Sequence, residues 1–499
     1  MSSDFNTKVV AATKWSSITE IGAKLVAPIV NLILARLLTP DAFGVVATIT
    51  MVVSFAEIFS ESGCPKYLVQ HEFSNENDVE DSTNVAFWSN MAISLLMWVI
   101  VILFASPIAE LVGSKGHELA IIVMGTQIPL LSVANILKAR FRRDFDFKTL
   151  FVVRIITAMI PLLVTVPLAI GLRSYWALVY GTLTRDFVSV GILLKLSKWK
   201  PAFSFKFAKL REMFSFTSWT IVENITIWMT SYTGTFIVGR ALSPHYLGLY
   251  KTTVTTVDSY LSVITAITMP VLFAALSRCQ ENNTLFMAIF KKFQRMVALL
   301  VFPLGVGIFV FREFVTMILL GSQWMDTADF LGMWSLSSSV IIVVSHFNSE
   351  LIRSKGYPKL STLIQILYLG LLIPVLYWAA GQDYETFTTL TCVVRIGMLI
   401  ISMTVVRGFF GLSWFAVIKN VGIQLCAAIV MGVFGHVLLL VSRDVLWQIV
   451  AIMLSGAFYF FLIAIFPSGR KMLFEVPLVH NAVTMIHEKS KKLFPNGSA

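Results

Sequence analysis

The sequence is poor in the residues and spacings that build metal centres, disulfide frameworks and catalytic sites. Its 499 residues include only four cysteines, each far from the others, so neither a metal-ligand spacing nor a disulfide framework is predicted. It contains no phosphate-cradling glycine loop, no paired histidines at metal spacing and no acidic pair in an aqueous loop. These absences speak against a metal cofactor, an ATP-driven mechanism and an enzyme.

Apolar residues, in contrast, are abundant and continuous. Hydrophobic residues make up 57% of the chain, the mean hydropathy is +0.79, and the apolar runs recur at the length of about 20 residues that a helix needs to cross a bilayer. Because the runs do not alternate with polar residues, a membrane β-barrel is excluded. The first run has no cleavage pattern and is expected to be an uncleaved anchor. The sequence therefore predicts an all-α polytopic membrane protein.

Two ten-residue stretches, 35–44 and 239–248, repeat one another. Each reads small residue, Arg, apolar residue, Leu, hydroxyl residue, Pro, two variable residues, large apolar residue, Gly. Because a Ser/Thr-Pro step starts a helix, each stretch is predicted to be a tight helix-to-helix hairpin. Its structural residues are Arg36, Pro40, Gly44, Arg240, Pro244 and Gly248. The shift of 204 residues also takes Trp15 to Trp219, so an internal duplication is predicted.

The apolar runs predict about fourteen membrane spans. They are 15–37, 42–61, 84–106, 118–139, 149–170, 175–195, 214–239, 245–267, 288–311, 328–352, 360–380, 385–406, 414–441 and 445–466. The predicted organisation is an N-terminal lobe at 1–196, a basic cytoplasmic linker at 197–213, a C-terminal lobe at 214–408, two appended spans at 409–467 and a cytoplasmic amphipathic basic tail at 468–499. Six spans in each lobe predict a pseudo-two-fold axis along the membrane normal.

The basic residues predict the orientation. Although the net charge is +11, the cations are scattered over short loops and concentrated in alternate connections, which favours membrane orientation over nucleic-acid binding and places both termini in the cytoplasm. The linker between Lys198 and Lys209 mixes cations with aromatic residues. Its two interpretations are positive-inside anchoring at the inner headgroup level and a lipid-sensing joint between the lobes.

Polar residues at steps of three and four form stripes on predicted spans 1, 2, 7, 8 and 10. Charges inside hydrocarbon are costly and normally face a bundle interior or a watery cavity. Because spans 1 and 7, and spans 2 and 8, are repeat mates, we predict that these faces line one water-accessible cleft between the lobes. For the hydroxyl residues, hydrogen bonding between helices is an equal alternative.

The ionisable residues within the spans are the candidate site. The candidates for binding an anionic substrate are the cations Lys24, Lys251, Arg154, Arg185 and Arg395. The alternatives are a pair with Glu20 for Lys24, snorkelling for Lys251 and bonding within a lobe for the arginines. The candidates for carrying a coupling proton or sodium ion are Glu20, Glu57, Glu61, Glu223, Asp258, His346 and Glu350.

Several stretches carry a family resemblance. They are Arg-Leu-Leu-Thr-Pro-Asp-Ala-Phe-Gly at 36–44, Cys-Pro-Lys-Tyr-Leu-Val-Gln at 64–70, Tyr-Trp-Ala-Leu at 175–178 and the echo at 240–250. With them the sequence resembles the polysaccharide-transporter branch of the multidrug/oligosaccharidyl-lipid/polysaccharide exporter superfamily, and in particular bacterial Wzx-type lipid-linked oligosaccharide flippases. The resemblance covers roughly residues 10–465.

The resemblance implies two six-helix lobes, a cationic central cavity and alternating access in the bacterial cytoplasmic membrane. The implied cargo is an oligosaccharide repeat unit on a polyprenyl pyrophosphate, moved from the inner to the outer leaflet for exopolysaccharide, capsule or lipopolysaccharide biosynthesis. Membrane lipids, and the polymerase and export machinery of the same pathway, are the implied partners; nucleic acid is not. No cofactor is expected beyond a coupling ion, H⁺ or Na⁺.

Three other functions stay open on the sequence. A cation-coupled multidrug antiporter of the same superfamily would favour an acidic cavity, whereas this sequence has both signs. A membrane polysaccharide polymerase or ligase usually presents a large external loop, and the longest outer connection here, about 312–327, is short. A passive lipid scramblase is compatible with the same spans.

Overall fold

The computed structural model of the chain describes residues 26–61, 63–467 and 469–470, which contain helices and no strand. Short helices and turns join the long helices where the chain changes direction. The helices are α1 Val26–Leu37, α2 Pro40–Glu61, α3 Cys64–Gln70, α4 Glu76–Leu103, α5 Ala105–Leu111, α6 Glu118–Gly125, α7 Gln127–Arg143, α8 Phe147–Ile160, α9 Val166–Leu172, α10 Trp176–Leu196, α11 Phe207–Ala241, α12 Pro244–Arg278, α13 Asn283–Val310, α14 Arg312–Leu319, α15 Ala328–Ile341, α16 Phe347–Ser354, α17 Pro358–Ala379, α18 Tyr384–Phe410, α19 Trp414–Val441 and α20 Val445–Ile465.

Twelve helical segments in the described ranges are long and apolar enough to cross a membrane. They are Pro40–Phe59, Glu76–Leu103, Glu118–Arg143, Phe147–Leu172, Trp176–Leu196, Pro244–Arg278, Asn283–Val310, Ser322–Ser354, Lys359–Ala379, Tyr384–Phe410, Trp414–Val441 and Val445–Ile465. Two predicted spans are not among them. The first half of span 1 lies outside the described residues, and span 7 corresponds to α11, a 35-residue helix that carries a polar stripe. An all-α polytopic membrane protein is confirmed, and the predicted count of fourteen is approximate.

Two spans predicted as uninterrupted helices contain a π-helical turn. Pro161–Thr165 joins α8 to α9, and Ile342–His346 joins α15 to α16. Proline lacks an N–H donor and its ring crowds the preceding turn, so the break at Pro161 has a local cause. Nothing comparable in the local sequence explains the turn at 342–346.

The described chain divides into two compact units. The first contains the described residues up to Ile267 together with Thr316–Phe330 and Lys359–Gly397. The second contains Thr268–Val315, Leu331–Pro358 and the described residues from Met398 onward. The predicted N-terminal and C-terminal lobes follow the sequence repeat and not these units, and their boundaries stay a prediction.

The core of the first unit is formed by helices of the first repeat. One cluster joins the start of α4 to α3, α7 and α10 around residues such as Leu68, Val85 and Leu137. A second cluster joins α2 to α6 and α10. A third packs α1 against α9 and α10, which fixes two of the helices that line the cavity described below, α1 and α10.

In the second unit, α19 lies against α13 and α20. The Asn420 amide donates to Gln294 Oε1 at 2.9 Å, and the Gln294 amide donates to the Val343 carbonyl at 2.9 Å. The hydroxyl of Tyr459 in α20 donates to the Leu299 carbonyl at 3.1 Å. Buried amides and hydroxyls thus tie the two appended spans to α13, as is usual where little hydrophobic force acts between helices in lipid.

Candidate functional site

A cationic cavity lies in the first unit, against α1. It has a volume of about 350 Å³, within the range of roughly 300–1,000 Å³ typical of small-ligand sites. Arg154 comes from α8 and Arg185 from α10. The lining residues are Ala27, Val30, Asn31, Leu34, Arg154, Thr157, Ala158, Pro161, Thr165, Leu178, Gly181, Thr182 and Arg185. Two of the five predicted cations therefore share one site.

The π-helical turn shapes one wall of this cavity. A π turn widens the helix by one residue per turn and often marks a functional site. Here it brings Thr165 so close to α10 that a Cβ atom on Gly181 would lie 2.0 Å from Thr165 Oγ1. Only glycine fits at 181 without displacing that threonine. The threonine and asparagine side chains of the wall supply neutral hydrogen-bonding groups beside the two arginines.

The charge in the cavity is only partly balanced. Arg185 makes two contacts with its neighbour Asp186, Nε to Oδ1 at 2.9 Å and Nη2 to Oδ2 at 3.3 Å. Asp186 is buried, whereas the Arg185 side chain is 40% exposed. An aspartate held in this way fixes the guanidinium and leaves some of its five donors available. With Arg154 half-buried opposite, the cavity suits an anion that can accept several hydrogen bonds, such as a phosphate.

The two repeated hairpins contact each other reciprocally, within the first unit. Pro40 and Pro244 are the first residues of α2 and α12. A Cβ atom on Gly44 would lie 1.9 Å from the Pro244 carbonyl oxygen, and one on Gly248 would lie 1.8 Å from the Pro40 carbonyl oxygen. Each motif glycine thus lets its helix approach the start of the other repeat's helix. Beside them His245 Nδ1 lies 3.4 Å from Asp41 Oδ2, at equivalent positions of the repeat.

Each repeat also sends a connector across to the first helix of the other. The turn at Gly113, with φ +72°, lies so close to the end of α11 that a Cβ atom there would be 1.7 Å from the Gly239 carbonyl oxygen. In the second repeat the turn at Gly321, with φ +106°, leads into a 3₁₀ helix, Ser322–Thr327, beside the end of α1. Positive φ values of this size favour glycine. We call residues 35–44, 112–114, 239–248 and 321–327 the clasp.

The 3₁₀ helix of the clasp satisfies the last carbonyls of α1. Gln323 Nε2 donates to the Ala35 carbonyl at 2.6 Å and to the Leu38 carbonyl at 3.0 Å, and Trp324 Nε1 donates to the Ala35 carbonyl at 2.8 Å. The Arg36 guanidinium in turn donates to the Ile318 carbonyl. Helix ends otherwise leave four carbonyls without partners, so these side chains act as a C-terminal cap supplied from nearly 290 residues away.

Replacing Trp324 with phenylalanine should therefore destabilise the protein. The ring is fully buried and packs at 5.4 Å on Phe43, so Trp324→Phe keeps most of the packing but removes a buried hydrogen bond. The expected cost is about 1–3 kcal/mol, seen as a lower midpoint in thermal unfolding in detergent. Trp378→Phe, at an exposed indole, is the matched control and should not move the midpoint; equal midpoints for both variants would contradict the capping role.

The remaining predicted site residues are dispersed. Lys251 lies over the Tyr232 ring at 4.7 Å from its centroid, with exposed Asp258 on the same face of α12. Arg395 interacts electrostatically with Tyr250 and Tyr368, away from the Arg154 cavity lining. Of the acidic and histidine candidates, Glu57 and Glu223 are half-buried and His346 is exposed. Glu350 pairs with Arg353 at 3.7 Å. Glu20, Lys24 and the side chain of Glu61 lie outside the described residues.

Some clasp residues were not predicted. Gln323 and Trp324 lie in a connector whose only notable feature in the sequence is its short length. Their hydrogen-bond partners at the end of α1 are far away in the sequence, so no local pattern predicts the contact. The repeat itself offered a signal for the connectors. Thr48 Oγ1 donates to Ser114 Oγ at 3.1 Å in the first repeat, and Thr253 pairs with Thr327 at 2.6 Å in the second. These are nearly equivalent positions, so aligning the connectors as well as the hairpins could have found them.

Comparison with known proteins defines the family. The family described as "Polysaccharide biosynthesis protein" matches residues 33–329, more than half of the chain. The chain belongs to this family. Relatives include the succinoglycan biosynthesis transport protein ExoT of Rhizobium meliloti, 24% identical over 67% of this chain and 67% of its own length. The teichuronic acid biosynthesis protein TuaB of Bacillus subtilis is 20% identical over 90% of this chain and 85% of its own.

Solved structures extend the comparison to the fold. The lipid II flippase MurJ superposes with a TM-score of 0.73 at 12% identity, covering 90% of this chain and 98% of that one. A multidrug resistance MATE transporter superposes with a TM-score of 0.61 at 11% identity, covering 83% and 98%. The family member described here thus shares the fold of these two proteins. Its transporter relatives confirm the prediction of a transporter in place of an enzyme.

Proposed function

We propose that this member of the polysaccharide biosynthesis family is a flippase for polyprenyl-pyrophosphate-linked oligosaccharide repeat units. It moves them from the inner to the outer leaflet of the bacterial cytoplasmic membrane by alternating access, for exopolysaccharide, capsule or lipopolysaccharide biosynthesis. The observation that carries the proposal is the cavity shared by Arg154 and Arg185, in a chain whose relatives are named for polysaccharide transport and biosynthesis.

The chemistry of the cavity fits a pyrophosphate headgroup. Guanidinium groups bind phosphate oxygens through paired, charge-assisted hydrogen bonds, and the headgroup needs cations and water to cross hydrocarbon at all. The polyprenyl tail can remain in lipid meanwhile. Moving an anion outward along an inside-negative potential releases about 2.3 kcal/mol per charge per 100 mV. The cationic lining gives no reason to favour a cationic drug as cargo.

The clasp supplies a gate in this proposal. With both termini in the cytoplasm, the α1–α2 and α11–α12 hairpins lie at the outer face of the membrane. Their reciprocal contact then closes the outer end, and cargo release requires the hairpins to separate. A proton or sodium ion bound at acidic residues such as Glu57, Glu223 or Asp258 would bias that step. The polymerase and export machinery of the pathway would receive the cargo outside.

Deleting the gene and reconstituting the protein test the proposal together. Deletion should stop polymer export and cause a lipid-linked oligosaccharide to accumulate on the inner leaflet. Purified protein in vesicles should move a fluorescent polyprenyl-pyrophosphate disaccharide between leaflets and leave a fluorescent phosphatidylcholine in place. Accumulation of unpolymerised sugar on the outer leaflet would point to a polymerase instead, and transfer of both probes to a scramblase.

A further inference from the structure

The segment between α10 and α11 runs along the start of α4 without forming a helix. Residues 199–206, which follow the end of α10 at Leu196, contain no helix, and α11 begins at Phe207. We call residues 197–206 the strap. The predicted linker, 197–213, is therefore shorter in the structure because its last residues form the first turns of α11.

The polar side of the strap is turned toward α4. The Ala202 N–H donates to Asn84 Oδ1 at 3.0 Å, and Trp88 Nε1 donates to the Ala202 carbonyl at 2.9 Å. Ser204 donates to Asp81 at 3.2 Å, and Lys206 forms an ion pair with the same carboxylate. Asn84, Trp88 and Asp81 share one face of α4 at helical spacing. The strap is therefore held at every second residue.

A further ion pair holds the start of α11. Lys209 Nζ lies 2.7 Å from Asp78 Oδ1, and this hydrogen bond raises the pKa of Lys209. The sequence alone suggested that the linker cations would meet lipid headgroups. Two of them, Lys206 and Lys209, are instead paired with acidic residues of α4.

The aromatic side of the strap is turned outward. Phe203 is 90% exposed, Phe205 47% and Phe207, the first residue of α11, 75%, and these positions alternate with residues 202, 204 and 206, which bind α4. Only Phe203 packs on a neighbouring ring, that of Trp88 at 5.3 Å, among the ring contacts described for these three. Three phenylalanines left in water would be an unusual apolar patch.

The position of the strap identifies what covers these rings. It lies where two membrane helices end, at Leu196 of α10 and near Glu76 of α4, and the side chain of Leu196 is itself exposed. Helix ends of this kind lie at the boundary between headgroups and acyl chains, where aromatic side chains concentrate.

We propose that the strap and the first residue of α11 form a lipid anchor, in which Phe203, Phe205 and Phe207 insert into the acyl-chain boundary of the leaflet at this end of the helices. The inserted groups are apolar, and the lysines beside them, Lys206 and Lys209, are paired with acidic residues of α4. Insertion of the rings themselves is therefore insensitive to salt. By fixing the strap, the leaflet also fixes the start of α11, which runs unbroken to the clasp.

A fluorescence experiment can test this anchor residue by residue. In a full-length protein whose four native cysteines are alanine, single Phe203→Cys, Phe205→Cys, Phe207→Cys and Ser204→Cys variants are labelled with a polarity-sensitive fluorophore and reconstituted in phosphatidylcholine vesicles. Brominated acyl chains should quench the three phenylalanine positions at least about two-fold more than position 204, and aqueous iodide should show the opposite order. The pattern should persist in 1 M salt, where the Debye length is about 3 Å.

Three results would overturn the proposal. Stronger iodide quenching at 203, 205 and 207 would place the rings in water, and protection from both quenchers would mean that protein covers them. Equal bromine quenching at all four positions would contradict the alternation. None of these readouts depends on cargo, so the anchor can fail while the proposed transport function stands, and the reverse.

Discussion

Changing Arg154 and Arg185 together to glutamine is expected to abolish transport while leaving the amount of protein in the membrane near the wild-type level. Each arginine would lose charge-assisted hydrogen bonds to the headgroup worth about 1.5–3 kcal/mol, or roughly 10- to 150-fold in affinity for each site. Glutamine at 185 can still donate to Asp186, so the buried carboxylate keeps a partner. The measurement is transfer of a polyprenyl-pyrophosphate disaccharide in vesicles, with polymer export in cells beside it.

The matched control removes the same charge elsewhere. Arg142 and Arg407 are exposed and lie outside the cavity lining, so the Arg142→Gln/Arg407→Gln variant should transport normally. Arg185→Lys is the finer probe, since it keeps the positive charge but loses the planar fork, and should fall between wild type and the double variant. Normal transport by Arg154→Gln/Arg185→Gln would remove the cavity from the mechanism.

Adding a methyl group to the motif glycines is expected to separate the two hairpins. In the Gly44→Ala/Gly248→Ala variant, each new Cβ would meet a proline carbonyl oxygen at less than 2 Å, and backbone cannot move aside as a flexible side chain can. Overpacking of this kind costs about 1–3 kcal/mol per site. The closed clasp would lose population, and we expect transport to fall at least about ten-fold, because a gate that cannot close cannot alternate.

Cross-linking can report the separation directly. Asp41 and His245 approach across the hairpins, so Asp41→Cys and His245→Cys in a cysteine-free background should be joined by a short bismaleimide. The yield should fall in the Gly44→Ala/Gly248→Ala variant and stay high with Gly191→Ala, since a Cβ at 191 meets no heavy atom within 4 Å. Undiminished cross-linking in the double variant would show that the hairpins tolerate the extra atoms.

The hairpins could be predicted from the sequence because proline acts locally. It fixes φ and removes a donor, so Pro40 and Pro244 mark helix starts wherever the rest of the chain lies. The start of α4 was harder to predict. The helix begins at Glu76, eight residues before the start of the predicted span. Its first turns contain Asp81, which binds the strap, and Asp78, which pairs with Lys209 of α11, and these acidic residues do not extend the apolar run that predicted the span.

The cavity could be predicted only in part. An arginine within an apolar run signals a polar environment, and that argument selected Arg154 and Arg185 individually. Their meeting depends on how α8 packs on α10 and on the π turn at Pro161–Thr165, which is set by tertiary contacts such as that between Gly181 and Thr165. The clasp partners Gln323 and Ala35 are similarly joined by packing across the two repeats and not by any periodicity.

The interrupted course of the first unit has a consequence for biogenesis. Its pieces at Thr316–Phe330 and Lys359–Gly397 leave the ribosome long after α1 has entered the bilayer, and the cap on α1 waits for Gln323 and Trp324. Helices inserted early must therefore persist as a loose assembly until residue 397 has been translated. A gene split after residue 196 would leave the first product without that cap, and its rescue would require the second product in the same membrane.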